Sequence, residues 1–141
     1  MISDVSNGRK WQGITRRDNI RPMSNHPLNL ALRFVLELAA LAAMGYWGWV
    51  AHDGGSRYLW AIGLPLVAAA IWGTFRVPGD PGKAPVAVPK TARLLLEVVF
   101  FAGAVWCLYA AGRPVLSVAF AAAVLIHYAL AYDRVLDFLG R

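Results

Sequence analysis

Arg93-Leu94-Leu95-Leu96-Glu97-Val98-Val99-Phe100-Phe101-Ala102-Gly103-Ala104-Val105-Trp106-Cys107-Leu108-Tyr109-Ala110-Ala111 is one apolar run interrupted by a single arginine and a single glutamate. With Ala92 before it, the run reaches the roughly 20 residues that a helix rising 1.5 Å per residue needs to cross bilayer hydrocarbon. A second run fills residues 28–51. It opens after Asn25, His26 and Pro27 and closes at His52-Asp53-Gly54-Gly55; proline in a first helical turn forfeits only an N–H that would be unpaired anyway. Residues 58–77 and 114–132 supply two further runs, and only Gly112 and Arg113 separate the last from residues 92–111. So short a link forces an antiparallel helical hairpin. The composition agrees: 58% of the 141 residues are hydrophobic and 16% charged, where soluble domains hold about half and a quarter. The mean hydropathy is +0.48. The predicted fold is all-α and integral to a membrane, a four-transmembrane-helix bundle made of two tandem helical hairpins.

The remaining segments are polar. Residues 1–25 form a basic tail that Gly8, Gly13 and Pro22 mark as disordered, with a start at Met1 or at Met23 left open. A cleavable signal peptide is not expected, because the first apolar run is too long and lacks a small-residue cleavage site at its end. Pro78, Pro81, Pro85 and Pro89 make the stretch between the second and third runs a loop or extended linker. The membrane domain is residues 26–134, and 135–141 form a short end. Lysine and arginine set the orientation, since they are retained on the cytoplasmic side. The tail carries Arg9, Lys10, Arg16, Arg17 and Arg21, the central loop Arg76, Lys83 and Lys90, and the far end Arg134 and Arg141. The two remaining connections have only Arg57 and Arg113. Both termini and the proline loop are therefore expected in the cytoplasm, with Tyr46, Trp47, Trp49, Tyr58, Trp60, Trp106 and Tyr109 at the opposite interface. The formal charge of +6 is explained by topology and anionic headgroups, so the lipid bilayer is the expected partner and nucleic acid is not.

Arg33-Phe34-Val35-Leu36-Glu37 recurs as Arg93-Leu94-Leu95-Leu96-Glu97, 60 residues later. Each copy opens a hairpin, which reads as an internal repeat. In each copy the arginine and glutamate, four residues apart, share one helix face. Counted from the cytoplasmic ends at 1.5 Å per residue, Arg33 lies roughly 8 Å deep, Glu37 roughly 14 Å, and Glu97 and His127 roughly 10 Å. Tyr128 and Tyr132 flank His127, completing a candidate polar layer. A charge at the bilayer centre costs about 2.5–3.5 kcal/mol, whereas each large apolar residue returns about 0.3–0.6. Such charges need a reason to be there. Side chains lean toward the helix N-terminus, so Arg33 and Arg93 are expected to snorkel to cytoplasmic water while the glutamates lean back toward them.

The structural reading makes these pairs interhelical glue. The functional one makes Arg33, Glu37, Arg93, Glu97, His127 and Tyr128 an intramembrane site for a proton, an anionic ligand or a headgroup. His127 is expected to hydrogen-bond between helices rather than to ligate a metal or heme, and no cofactor is expected. Cys107 is the single cysteine and reads as a small apolar residue. Ser117 has no evident base, the glycines of the proline loop lack the ending of a phosphate loop, and no catalytic motif appears; an enzyme is not expected. Pro65 is expected to kink the second run, with Gly63 and Gly73, and also Gly45 and Gly48, allowing close helix approach.

Asn29-Leu30-Ala31-Leu32-Arg33-Phe34 with Glu37, Gly45-Tyr46-Trp47-Gly48-Trp49, Trp72-Gly73-Thr74-Phe75, Val77-Pro78-Gly79-Asp80-Pro81 and the second Arg-Leu-Leu-Leu-Glu copy together resemble the YrdB family of small bacterial membrane proteins. The resemblance covers roughly residues 26–134. It implies a bacterial plasma-membrane address and a domain of unknown function, with no substrate or catalytic residue to carry over. The leading expectation is a small multi-pass protein acting through helix packing, with a second copy or another membrane protein as partner. The alternative is a transporter or channel whose charged layer lines a cytoplasm-facing pocket.

Overall fold

The computed structural model describes residues 27–76 and 85–140. Within them the chain runs α1 (Pro27–Val50), α2 (Gly54–Thr74), β1 (Phe75–Arg76), β2 (Val86–Ala87), α3 (Lys90–Ala110), α4 (Pro114–Leu130) and α5 (Tyr132–Phe138). The expected disordered tail, the choice between Met1 and Met23, and most of the proline loop lie outside the described residues. The protein is thus helical, with four long helices in the places the apolar runs foretell. Of these, α1 and α3 are long and apolar enough to cross a membrane, while α4 is an apolar helix of 17 residues.

Local chemistry fixes the helix ends. After α3 the chain reverses at Gly112, whose φ of +73° is open to glycine without a Cβ penalty. The Gly112 N–H donates to the Tyr109 carbonyl and the Arg113 N–H to that of Leu108, each at 3.0 Å. This pair of bonds is the Schellman closure of a helix C-terminus. Pro114 then occupies the first turn of α4. The predicted tight hairpin therefore exists, with its hydrogen bonds accounted for.

The core is narrow. Leu36, Ala40, Ala43 and Met44 of α1 meet Phe100, Phe101, Ala104 and Cys107 of α3 and Val124 of α4. The spacing of 36, 40, 43 and 44 is the single stripe of a helix buried on one face. Helix α1 packs against α2, α3 and α4, and α3 against α4. Helix α2 contributes no fully buried residue and reaches the core only with partly buried side chains such as Leu64, Ala68 and Trp72. Large apolar side chains stay exposed on every long helix, among them Phe34, Ile62, Leu95 and Ile126.

Three expectations change. The close approach of α1 and α2 uses Gly45 and Gly48 of α1: a Cβ on Gly48 would overlap the Trp60 backbone, and one on Gly45 would lie 3.0 Å from the Ala61 carbonyl oxygen. Gly63 and Gly73 meet no neighbouring helix, so they do not serve that approach. The proline-rich stretch is not wholly unpaired either, since Phe75 pairs with Val86 and Arg76 with Ala87 in parallel register. Pro85 and Pro89 flank this pairing rather than interrupt it. Lastly, Tyr132–Phe138 form the short helix α5, which packs against α3 and α4.

Candidate functional site

At the end where α1 and α3 begin and α2 and α4 finish, the predicted charged residues converge. Arg33 Nε donates to Glu37 Oε1 at 2.9 Å on its own helix, and Arg33 Nη2 crosses to Glu97 Oε1 on α3 at 3.1 Å. Arg93 Nε lies 3.5 Å from the same Glu97 oxygen. The Tyr128 hydroxyl of α4 donates to Glu97 Oε2 at 3.1 Å. The two repeat copies are therefore joined through Glu97, whose side chain is only 3% exposed. Two guanidinium groups and two carboxylates sum to no net charge, the condition under which buried charges are tolerable.

Arg93 departs from its expected course. Its side chain is 3% exposed and does not snorkel to water. Arg93 Nη1 donates to the Trp72 carbonyl at 2.9 Å and also to the Phe75 carbonyl. These acceptors sit at the C-terminus of α2, where a helix has carbonyls without intrahelical donors and the negative end of its dipole attracts a cation. The Arg93 guanidinium carbon also lies 4.0 Å from the centre of the Trp72 ring, and Trp72 stacks on Phe100 at 4.5 Å. A cation over an aromatic face in a desolvated site gains about 2 kcal/mol. Backbone carbonyls and an indole thus replace the water that snorkelling would have reached.

His127 joins the layer by another route. It is buried, and its Nδ1 is 2.9 Å from the Asn29 Oδ1 of α1, so it ties α4 to α1. Its ring packs 5.5 Å from that of Tyr128. Tyr132 is 60% exposed and does not complete the layer. Asn29, Trp72 and the Phe75 carbonyl belong to the site although no charge pattern marks them. Among the described residues, no group of three or more His, Cys, Asp and Glu side chains converges to hold a metal ion. The Ser117 hydroxyl donates to the Val105 carbonyl of α3 at 2.8 Å, a helix-to-helix tie.

The opposite end is aromatic. Trp47 packs edge-on to His52 at 5.1 Å and to Trp60 at 6.0 Å, and tilted against Trp106 at 5.4 Å. His52 stacks on Trp60 at 5.1 Å, and its Nδ1 is 3.2 Å from the Gly48 carbonyl. Of the rings expected at this end, Trp47, Trp60 and Trp106 form a cluster with His52 that joins α1, α2 and α3, while Trp49 and Tyr58 pair apart from it at 5.6 Å and Tyr109 stays 67% exposed.

The sequence matches a family described as a protein of unknown function, DUF2568, over residues 31–125. That stretch contains both Arg/Glu pairs and stops two residues short of His127. The chain is also 36% identical over 110 residues to the uncharacterized protein YrdB of Bacillus subtilis (strain 168), an alignment covering 76% of this chain and 89% of that protein. No solved structure matches.

Proposed function

The chain belongs to the DUF2568 family of unknown function, and from that premise we propose that it is a four-span protein of the bacterial plasma membrane that acts by association, its charged layer serving as interhelical glue. Both termini lie in the cytoplasm, as the distribution of lysine and arginine argues, and α2 and α4 span the bilayer beside α1 and α3. The observation that supports the glue role is Glu97. One carboxylate, almost wholly withdrawn from solvent, is held by Arg33, Arg93 and Tyr128 from three helices. A ligand would have to displace those partners to reach it. The association role draws on α2, which leaves Leu59, Ile62, Leu66 and Val67 exposed and contributes no fully buried residue, so it has surface to offer a second copy or another membrane protein in place of lipid.

The test separates glue from transport. Glu97→Gln alone should lower the melting midpoint in detergent, because it leaves Arg33 and Arg93 buried with less compensation. Replacing Arg33, Glu37, Arg93 and Glu97 together by apolar residues should restore much of it, since exchanging a whole buried ion network for apolar packing is often neutral or stabilising. Proteoliposomes loaded with a pH-sensitive dye should show no proton flux with either protein. A flux present in the wild type and absent from the folded quadruple variant would reverse the reading. One observation favours that rival: Arg33 and Glu37 remain 18% and 19% exposed, so the edge of the layer is open to exchange.

A further inference from the structure

Arg113 is a cation in the turn between two helix ends. It is the N-cap residue of α4, at the positive end of that dipole, and its N–H closes the C-terminus of α3, whose negative end offsets it. Its side chain is anchored. Arg113 Nε donates to the Tyr46 hydroxyl of α1 at 3.0 Å, and the guanidinium carbon lies 5.8 Å from the centre of the Tyr46 ring. Among the described residues Arg113 has no carboxylate partner, whereas Arg57, the other cation at this end, pairs with Asp53 at 3.3 Å. Nothing in the described chain uses the positive charge that Tyr46 holds in place.

An apolar groove starts at this charge. It has a volume of about 570 Å³ and runs between α1 and α4, with Ala39, Ala42 and Tyr46 on one wall and Leu116 and Phe120 on the other. Arg113 closes its aromatic end. The alanines of α1 keep it open, and its long side faces outward from the bundle. From Arg113 to Phe120 the groove descends roughly 10 Å at 1.5 Å per residue, against about 15 Å of hydrocarbon in one leaflet. Its volume falls in the roughly 300–1,000 Å³ range of small-molecule sites.

We propose that this groove binds one acyl chain of an anionic phospholipid of the phosphatidylglycerol class, with the headgroup phosphate on the Arg113 guanidinium. The guanidinium matches phosphate oxygens and Tyr46 has already fixed its orientation, while its net positive charge favours an anionic headgroup over one that also carries a cation. The apolar lining selects a hydrocarbon tail, and the sideways opening lets it enter from the bilayer. The lipid would fill the groove between α1 and α4 and stabilise the packing of the two hairpins against each other by mass action. The inference rests on the membrane reading above.

The test uses the full chain purified in maltoside detergent and native mass spectrometry with phosphatidylglycerol, phosphatidylcholine of the same chains, or inorganic phosphate. The wild type should retain phosphatidylglycerol about tenfold better than phosphatidylcholine, whose phosphate is the same but whose choline cation cancels the headgroup charge and is repelled by Arg113. Arg113→Gln should abolish that preference and Arg113→Lys should keep most of it. Ala42→Leu should eject the lipid with Arg113 intact, and helicity by circular dichroism checks that each variant folds. Should Ala42→Leu misfold, the contrast between Gln and Lys at 113 still decides. Equal retention of the two lipids, equal retention by wild type and Arg113→Gln, competition by free phosphate alone, or a dimer mass in place of the lipid adduct would each overturn the proposal. Release of the chain from native membranes by alkaline carbonate would instead overturn the membrane reading itself; resistance to carbonate without lipid preference defeats this inference alone.

Discussion

At the end where α1 and α3 begin, the helices are joined by charge; where α1 and α3 finish, they are joined by rings. The charged end withdraws Arg93 and Glu97 from solvent and supplies partners from α1, α2 and α4. The aromatic end keeps its ion pair, Arg57 with Asp53, outside the packed cluster of Trp47, His52, Trp60 and Trp106. The difference follows from how each interaction fails. A buried charge that loses a partner costs about 3–5 kcal/mol, so it is safe only inside a complete set of partners. A ring pair contributes about 0.5–1.5 kcal/mol and degrades gradually when a neighbour is trimmed. One end should therefore behave as all-or-none, the other as a sum of small terms.

Glu97→Ala probes that contrast with the greatest force. It removes the acceptor of Arg33 and Tyr128 and the ion-pair partner of Arg93 together, and should destabilise the protein by about 3–5 kcal/mol in detergent thermal denaturation. Glu37→Gln touches only Arg33 at the solvent-accessible edge and should cost about 1 kcal/mol or less. If the two substitutions proved equivalent, the layer would be a set of independent pairs and not one unit hinged on Glu97.

At the aromatic end, the tightest constraint is the glycine beneath the rings. Gly48→Ala would drive a methyl group into the Trp60 backbone and should cost about 1–3 kcal/mol through overpacking, with α1 and α2 forced apart. Gly73→Ala, where an added Cβ meets nothing within 4 Å, should instead stabilise by up to about 1 kcal/mol through helix propensity and a less flexible unfolded chain. Opposite signs for two glycines in the same hairpin would show that the aromatic end depends on backbone proximity as well as on rings.

Tyr128→Phe is the milder cut at the charged end. It deletes the hydroxyl that donates to Glu97 Oε2 and preserves the ring packing against Phe101 and His127. The expected loss is about 1.5 kcal/mol, the scale of a hydrogen bond to a charged group. A loss near that of Glu97→Ala would mean that the tyrosine, rather than the arginines, holds the carboxylate in place.

How far all this could be read beforehand depends on what carries a sequence signal. The Arg33/Glu37 and Arg93/Glu97 copies and His127 could be placed at similar depth because helical rise is a fixed length, and the structure brings them together with Tyr128. The burial of Arg93 was not legible. Its acceptors are the carbonyls of Trp72 and Phe75, and every residue has a carbonyl, so nothing in the letters marks those two. Asn29 was hidden for a related reason: its partner His127 is 98 residues away and only the fold makes them neighbours. Gly48 and Gly73 look alike in the sequence, and the packing of α2 alone decides which one is needed. The β1–β2 pairing spans two residues per strand, too short for any alternation to announce it.

The smallest effect belongs to Asp53. Its carboxylate is fully exposed, while Arg57 has two further contacts: its Nε donates to the His52 carbonyl at 3.1 Å, and its guanidinium carbon sits 4.7 Å from the centre of the Trp49 ring. An ion pair in water is screened and gains little over its solvated halves. Asp53→Asn should therefore leave the melting midpoint unchanged at low and at high salt. Arg57→Gln should lower it slightly, because the His52 carbonyl at the C-terminal end of α1 loses a cationic donor and Trp49 loses its stacked cation. If Asp53→Asn lowered the midpoint as much as Arg57→Gln, and only at low salt, the outer pair would be holding the hairpin by charge, and the division between a charged end and an aromatic end would fail at its cheapest point of attack.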